Sequence, residues 1–501
     1  MATATIPPRP PLLRGRTVDV CVIGAGIAGL SAAYQLARAG KSVVVLDDGP
    51  IGGGQTGRTT AHLSHAMDVQ FQAIRRLHGD EGARLAAESH TAAIDEIEKI
   101  ASEEGIPCDF ERVPGHLFVP RGESATELER EMEAAHAAGL SRVEMLPETP
   151  ALGAEAGACL RFPRQAQFHP LRYLAGLAEA IERHGGAIFT HVHAEAVETR
   201  GATRRVRTRG RAGVTAGAVI AATNVPILGP QTIHAKQAAY LTYVIGARVP
   251  AGAVPHGLYW DTEDPYHYVR VQRRAPAGGS EILIVGGEDH KTGQADDGAK
   301  RYLALEEWAR ARFPMIEEVE LRWSGQVMNS LDGLAFIGRA SEDEPDVYLA
   351  TGDTGMGMTH GTIAGMLLRD LVLRRDNPWR ALYDPSRLIL RALPGLVREN
   401  ANVAIRYADW VTPPEVSSVE KIAPGQGALL RRGLAKVAAY RDPEGRLHER
   451  SAVCPHLACI VAWNSAERTW DCPCHGSRFD AVGHVINGPA NTNLAAAEGA
   501  Q

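Results

Sequence analysis

The sequence predicts an α/β fold with a mixed α+β insertion, joined to a small all-β domain at the carboxyl end. Three observations carry this. Residues 17 to 47 read as strand, glycine turn, helix and second strand; residues 347 to 374 read again as strand, glycine turn and helix; and beyond residue 414 the chain breaks into short apolar strands separated by turns. With 501 residues, 45% of them hydrophobic and 22% charged, the chain can bury a large core and is expected to divide into two or three domains. A net charge of −6 leaves no electrostatic footprint for nucleic acid or an anionic membrane.

The first 16 residues, MATATIPPRPPLLRGR, are proline-rich and lack an apolar signal-peptide core, so a disordered arm and a cytoplasmic location are expected. No stretch approaches the roughly 20 apolar residues of a membrane helix, so no membrane span is expected. In TVDVCVIGAGIAGLSAAYQLARAGKSVVVLD (17 to 47) the β-branched run enters Gly24-x-Gly26-x-x-Gly29. Gly24 permits a tight turn, Gly26 lets backbone approach a pyrophosphate, Gly29 lets helix and strand pack, and Asp47 can accept from a ribose diol. The next glycine pattern, Gly52 to Gly57, lacks a following apolar helix. It reads as a loop that brings Thr56, Gly57, Thr59 and Thr60 around the same dinucleotide.

Residues 80 to 104 show helical apolar spacing, and 236 to 290 read as several strands. Within these strands His267, Tyr268, Arg270 and His290 are candidates for a substrate pocket. An arginine would bind a carboxylate and a histidine would take a proton from an amine, although alternate strand residues can equally face solvent. The run RGATRRVRTRGR at 200 to 211 holds six arginines and reads as an exposed β-hairpin. Near 352 to 359, Gly352, Gly355, Gly357, Met358 and Thr359 form a glycine turn into a helix. A positive helix end there would stabilise negative charge on a bound ring system. Cys21, Cys108 and Cys159 are isolated and read as buried thiols.

Across residues 17 to 380 the order of segments resembles the D-amino-acid oxidase superfamily, which includes glycine oxidase, sarcosine oxidase and D-amino-acid dehydrogenases. AVIAATNVPILG at 218 to 229, WSGQ at 323 to 326 and DGLAFIG at 332 to 338 look like its flavin-contacting segments. The resemblance implies FAD, held in segments of about 17–79, 150–228 and 323–380, with adenine on the backbone of Val197. Substrate-cap segments would be about 80–149 and 229–322, the whole domain ending near 395. Some members attach flavin through a histidine; His62 is near that place but out of register. No Ser/His/Asp set or GK[ST] motif is present, so catalysis should rest on the flavin.

A linker is expected at 396–413, before the last domain at 414–501. Within that domain Cys454-x-His456 and Cys472-x-x-His475 each put one thiolate and one imidazole on a tight loop, with 15 residues between the pairs. Zinc also accepts two cysteines and two histidines, but its fingers do not mix the two types on each arm. The mixed arms and the context CPCHGSRFD resemble the Rieske pattern, in which two cysteines hold one iron of a [2Fe–2S] cluster and two histidines the other. The closest likeness is to the Rieske subunits of respiratory and photosynthetic complexes. It implies a Cys459–Cys474 disulfide, which is unusual for a cytoplasmic protein, and a hydroxyl donor at Ser477; the usual tyrosine two residues later is Phe479. The fold implied is thus an FAD-binding Rossmann-like α/β domain with a mixed α+β substrate cap, plus a small all-β Rieske domain.

The joint expectation is a dehydrogenase. A small-molecule substrate, an amine or amino acid, gives hydride to FAD, and electrons leave singly through the cluster to an external one-electron acceptor, protein or quinone. Two other readings stay open: reverse flow from NAD(P)H or a redox partner, and a non-enzymatic redox sensor or electron-transfer module.

Overall fold

The run Val20–Ile23 is buried on both faces, as a central parallel strand requires. In the computed structural model, which describes residues 4–152, 156–227, 231–273, 279–344 and 346–497, strand Arg16–Ile23 pairs in parallel with Val43–Leu46 and Gly213–Ala221. The sheet continues in parallel to Ala187–Phe189 on one side and Val347–Thr351 on the other. Helices Ile27–Arg38 and Gly357–Val372 pack together on one face, sharing a core with Phe71–Glu103. The arginine-rich stretch is the predicted hairpin: Ala194–Arg200 and Thr203–Thr208 pair antiparallel, and the second of these alternates between exposed and buried residues. Leu228 and Gly229, at the end of the stretch 218 to 229, lie outside the described residues.

A second, nine-stranded sheet forms the cap. Its spine is Glu318–Ser330, Gln237–Pro250, Ser280–Lys291 and His267–Arg273, all antiparallel neighbours, continued by Leu258–Asp261 and Glu111–Pro120. Strands Ala156–Gln167 and Glu318–Ser330 belong to this sheet, although residues 156 to 167 and 323 to 330 were expected in the flavin-binding segments. Conversely, Phe71–Glu103 was expected in the cap from residue 80 onward, yet its apolar stripe (Ala83, Ala86, Ile94, Ile97) is buried in the first domain's core. Helical periodicity marks a buried stripe but not the partner that buries it.

Two irregular segments also differ from expectation. The amino-terminal arm is docked rather than disordered: Arg9 N donates to Thr190 Oγ1 at 3.1 Å, its guanidinium pairs with Glu182, and Leu12 is buried. The linker is largely helical, over Leu393–Arg406 and the turn Tyr407–Trp410. It braces both halves. Asn400 Nδ2 donates to Ala235 O at 3.0 Å, while Tyr407 Oη and Trp410 Nε1 donate to Leu457 O and Ala458 O at 2.6 and 2.9 Å. The last domain then folds as a three-stranded antiparallel sheet (Gly427–Arg432, Ala435–Arg441, Leu447–Ser451) and a four-stranded one from Ala462–Asn464 to Val485–Asn487. Trp470, Trp463 and Phe479 fill its core around the cysteines.

Candidate functional site

One cavity of about 730 Å³ runs from the first glycine turn to the face of the second sheet. Gly24 and Gly26 line its near end. Gly29 does not; a Cβ there would lie 1.9 Å from Gly24 O, so it serves the helix–strand packing predicted for it. Asp47 lines the cavity and accepts from Ala25 N at 2.6 Å and Gly49 N at 2.8 Å. Burial outweighs these bonds and pushes its carboxyl up to about 6. Thr56, Thr59 and Thr60 also line the cavity, and Thr56 Oγ1 accepts from Ile27 N at 3.1 Å, tying the second glycine loop to the first helix's start. Gly57 sits behind, packed on Gly52 O. Val197 is turned into an apolar cluster with Ala221 and Ile233; Val192, His193 and Ala194 line the cavity at that end instead.

At the other end Gly355, Gly357 and Met358 line the cavity, where helix Gly357–Val372 begins with no side-chain cap. Gly352 and Thr359 stand behind them: Gly352 lies against Phe336, and Thr359 Oγ1 bonds His90 Nδ1 at 2.8 Å. An uncapped helix amino terminus facing a cavity favours a partial negative charge there, which fits the pyrimidine edge of a flavin.

Of the four pocket candidates, only Tyr268 lines the cavity, its Oη bonded to Thr242 Oγ1 at 2.8 Å. His267 points the other way, as the next residue of a strand must. Its Nδ1 meets Asp261 Oδ2 at 2.9 Å and its ring stacks on Trp308. His290 stacks on Tyr243, away from the cavity. Arg270 is 1% exposed and already engaged: Nε donates to Thr60 O, and Nη1 to Gln272 Oε1 at 2.9 Å. It holds the cofactor loop and is not free to clamp a carboxylate. Burial, then Arg270, brings His62 down to about 3, so that ring is neutral.

The residues that sequence reasoning missed are acidic. Asp68 and Asp353 line the cavity beside Gly355 and Tyr266, and Asp289 stands close enough to raise Asp68. Burial first, then Asp289 and Asp353, pushes Asp68 up to about 7; burial carries Asp289 and Asp353 each to about 6. No spacing links three aspartates so far apart in the chain. The one local hint is that Asp353 interrupts a glycine turn.

In the last domain, the buried thiols of Cys454 and Cys472 lie close enough to interact, and the rings of His456 and His475 lie 5.1 Å apart. The neighbouring Cys472 thiol first, then the backbone N–H groups of His456 and Leu457 and the Ser477 hydroxyl, hold the Cys454 thiol below its usual range. His475 Nδ1 is buried without a partner. Two facing thiols and an orphaned imidazole nitrogen fit a cluster held by Cys454, Cys472, His456 and His475. His234, from the cap, packs its ring 4.9 Å from His456. Cys459 and Cys474 are bonded, with Cα atoms 6.5 Å apart. Their separation of 15 residues implies about 3 kcal/mol from loop closure. Cys459→Ser should destabilise the last domain by about that much, read as a lower midpoint for thermal loss of cluster absorbance; an unchanged midpoint would contradict the clamp. Cys21, Cys108 and Cys159 are buried thiols, with burial raising each one's pKa.

The fold and the two sites define an oxidoreductase that combines a flavin domain with an iron–sulfur domain. Residues 19–371 match the family model of the FAD dependent oxidoreductases, and residues 412–498 match the Rieske [2Fe-2S] domain. The chain is 32% identical over 490 residues to the putative Rieske 2Fe-2S iron-sulfur protein YhfW of Bacillus subtilis, covering 97% of this chain and 94% of that protein. It is 27% identical over 375 residues to gamma-glutamylputrescine oxidoreductase of Escherichia coli, covering 72% of this chain and 84% of that one. The solved structure of glycine oxidase from Geobacillus kaustophilus superposes with a TM-score of 0.62 at 18% identity, over 75% of this chain and all of that one, a likeness of fold. The chain belongs to the FAD-dependent oxidoreductase family and carries a Rieske [2Fe–2S] domain. Among the described residues no helix is long and apolar enough to cross a membrane.

Proposed function

We propose that the enzyme oxidises an amine, either simple or the amino group of an amino acid, and delivers the electrons one at a time through the Rieske domain to an external acceptor. When bound, FAD would accept the hydride and the cluster would carry single electrons. The observation that carries this reading is Gln326, which lines the flavin cavity and donates through Nε2 to Gly476 O at 2.8 Å, next to the ligand His475. Its Oε1 accepts from Asn487 Nδ2 in the same domain. One side chain therefore separates the cavity from a cluster loop. Anaerobic stopped-flow mixing with a panel of amines, amino acids and NAD(P)H tests it. Flavin bleaching followed by a change in the Rieske bands is expected with an amine. Bleaching that never reaches the cluster would sink the relay, and reduction by NAD(P)H alone would reverse its direction.

The acidic end of the cavity supports an amine as donor. Asp68 is neutral below about 7 and ionised above, whereas an alkylamine stays cationic throughout. A raised carboxyl favours the empty folded protein at low pH, and that stability fades as pH rises through about 7; a bound cation offsets the loss. KM for the amine should thus fall as pH rises from about 6 to about 8, and Asp68→Asn should flatten this dependence and raise KM. A KM profile identical in the variant would rule out contact between Asp68 and the substrate.

A further inference from the structure

The flavin cavity has walls from two domains. Thr469, Arg478, Ile486, Asn487, Gly488 and Asn491 of the Rieske domain line it together with the glycine turn and Asp47 of the first. The contact is built from directed bonds. Asn491 Nδ2 donates to Ala194 O at 3.1 Å and Glu195 O at 3.3 Å, and Asn491 O meets His193 Nε2 at 3.1 Å. His193 in turn reaches Asp48 Oδ2 at 3.3 Å through Nδ1, and Val192 N donates to Asp47 O at 2.8 Å. Asn491 is therefore seated on the segment that borders the ribose-binding acid. Beside it Gly488 approaches so closely that a Cβ would lie 3.2 Å from Ile227 Cγ2, also on the cavity wall. Arg58, on the loop before Thr59, pairs with Glu467 at 3.3 Å.

We propose that the Rieske domain is a second binding element for FAD: its segment Asn487 to Asn491 closes the dinucleotide cavity as a lid, so that FAD is retained by docking of the domain and released when it undocks. The physical reason is that enclosure removes the solvent route by which a dinucleotide leaves, while the Asn491 amide satisfies the carbonyls of Ala194 and Glu195 at the cavity rim and the Asn487 amide satisfies Gln326 Oε1. The lid also couples the cofactors. A chain whose Rieske domain is undocked cannot pass electrons internally, and it is also the chain that sheds its flavin.

The test uses the full-length holoenzyme. The rate of FAD release after dilution is followed by the recovery of free-flavin fluorescence in the native protein and in an Asn487→Ala/Asn491→Ala double variant. Release at least about tenfold faster, with Rieske absorbance unchanged, is the expected result, from loss of the bonds that seat the lid. Equal release rates, with hydrogen exchange at 193–195 increased to show that the contact has opened, would overturn the proposal. Should the double variant lose its cluster, the native protein decides: hydrogen exchange in 485–491 slows on FAD binding if this segment is a lid, and is indifferent to FAD if it is not.

Discussion

His475→Ala should yield a protein that keeps its flavin and loses its cluster. The ring's Nδ1 is buried with no partner, and its loss leaves three donors where the second iron needs two imidazoles. Nothing in the first domain's core depends on this side chain, because that core and the cysteine core of the last domain are separate clusters. The visible bands and the reduced-state electron paramagnetic resonance of the Rieske centre should vanish. Substrate should still bleach the flavin, and turnover with a one-electron acceptor should stop. A His475→Ala enzyme that reduces such an acceptor at the native rate would show that electrons leave directly from the flavin, and the relay would be wrong.

How much of this was legible in the sequence depended on whether the chemistry was local. The Rieske domain was legible because its proposed ligand set, Cys454, His456, Cys472 and His475, sits on two tight loops whose spacing is printed in the chain. The same locality exposed Gly24, Gly26 and Asp47, which one βαβ unit brings together. The acidic end of the cavity was not legible, since it is built from residues far apart in sequence: Asp68, Tyr268 and Asp353 meet only when the second sheet is laid over the first. Arg270 illustrates the limit. Its strand was recognised, and its neighbour Tyr268 does face the cavity, but the carbonyl that occupies its guanidinium, Thr60 O, lies 210 residues away. Val197 rests on family likeness alone: its side chain packs with Ala221 and Ile233, while Ala194, three residues earlier, lines the cavity.

Gly476 is a point of close contact between the two halves, and its substitution should separate electron entry from electron exit. It has φ +78°, and a Cβ there would stand 2.3 Å from Ala239 Cβ and 2.7 Å from Gln326 Nε2. Valine thus meets two penalties: about 1–2 kcal/mol for a left-handed backbone at a residue with a side chain, and a wedge driven into the interface. The four proposed cluster ligands all belong to the Rieske domain itself, so the centre should still assemble while the domain is pushed off Gln326. With FAD supplied at saturation to offset the faster release expected of an undocked domain, substrate bleaching of the flavin should proceed at the native rate, and reduction of the cluster should slow by orders of magnitude because the gap between the centres widens. Gln326→Leu gives the milder form, removing the bonds to Gly476 and Asn487 without a wedge; it also decides the matter if Gly476→Val assembles no cluster. Cluster reduction at the native rate in Gln326→Leu, with the domains shown to be separated by faster hydrogen exchange at 473–477, would mean that the docked contact is not the electron route. The relay would then have to run through a mobile Rieske domain.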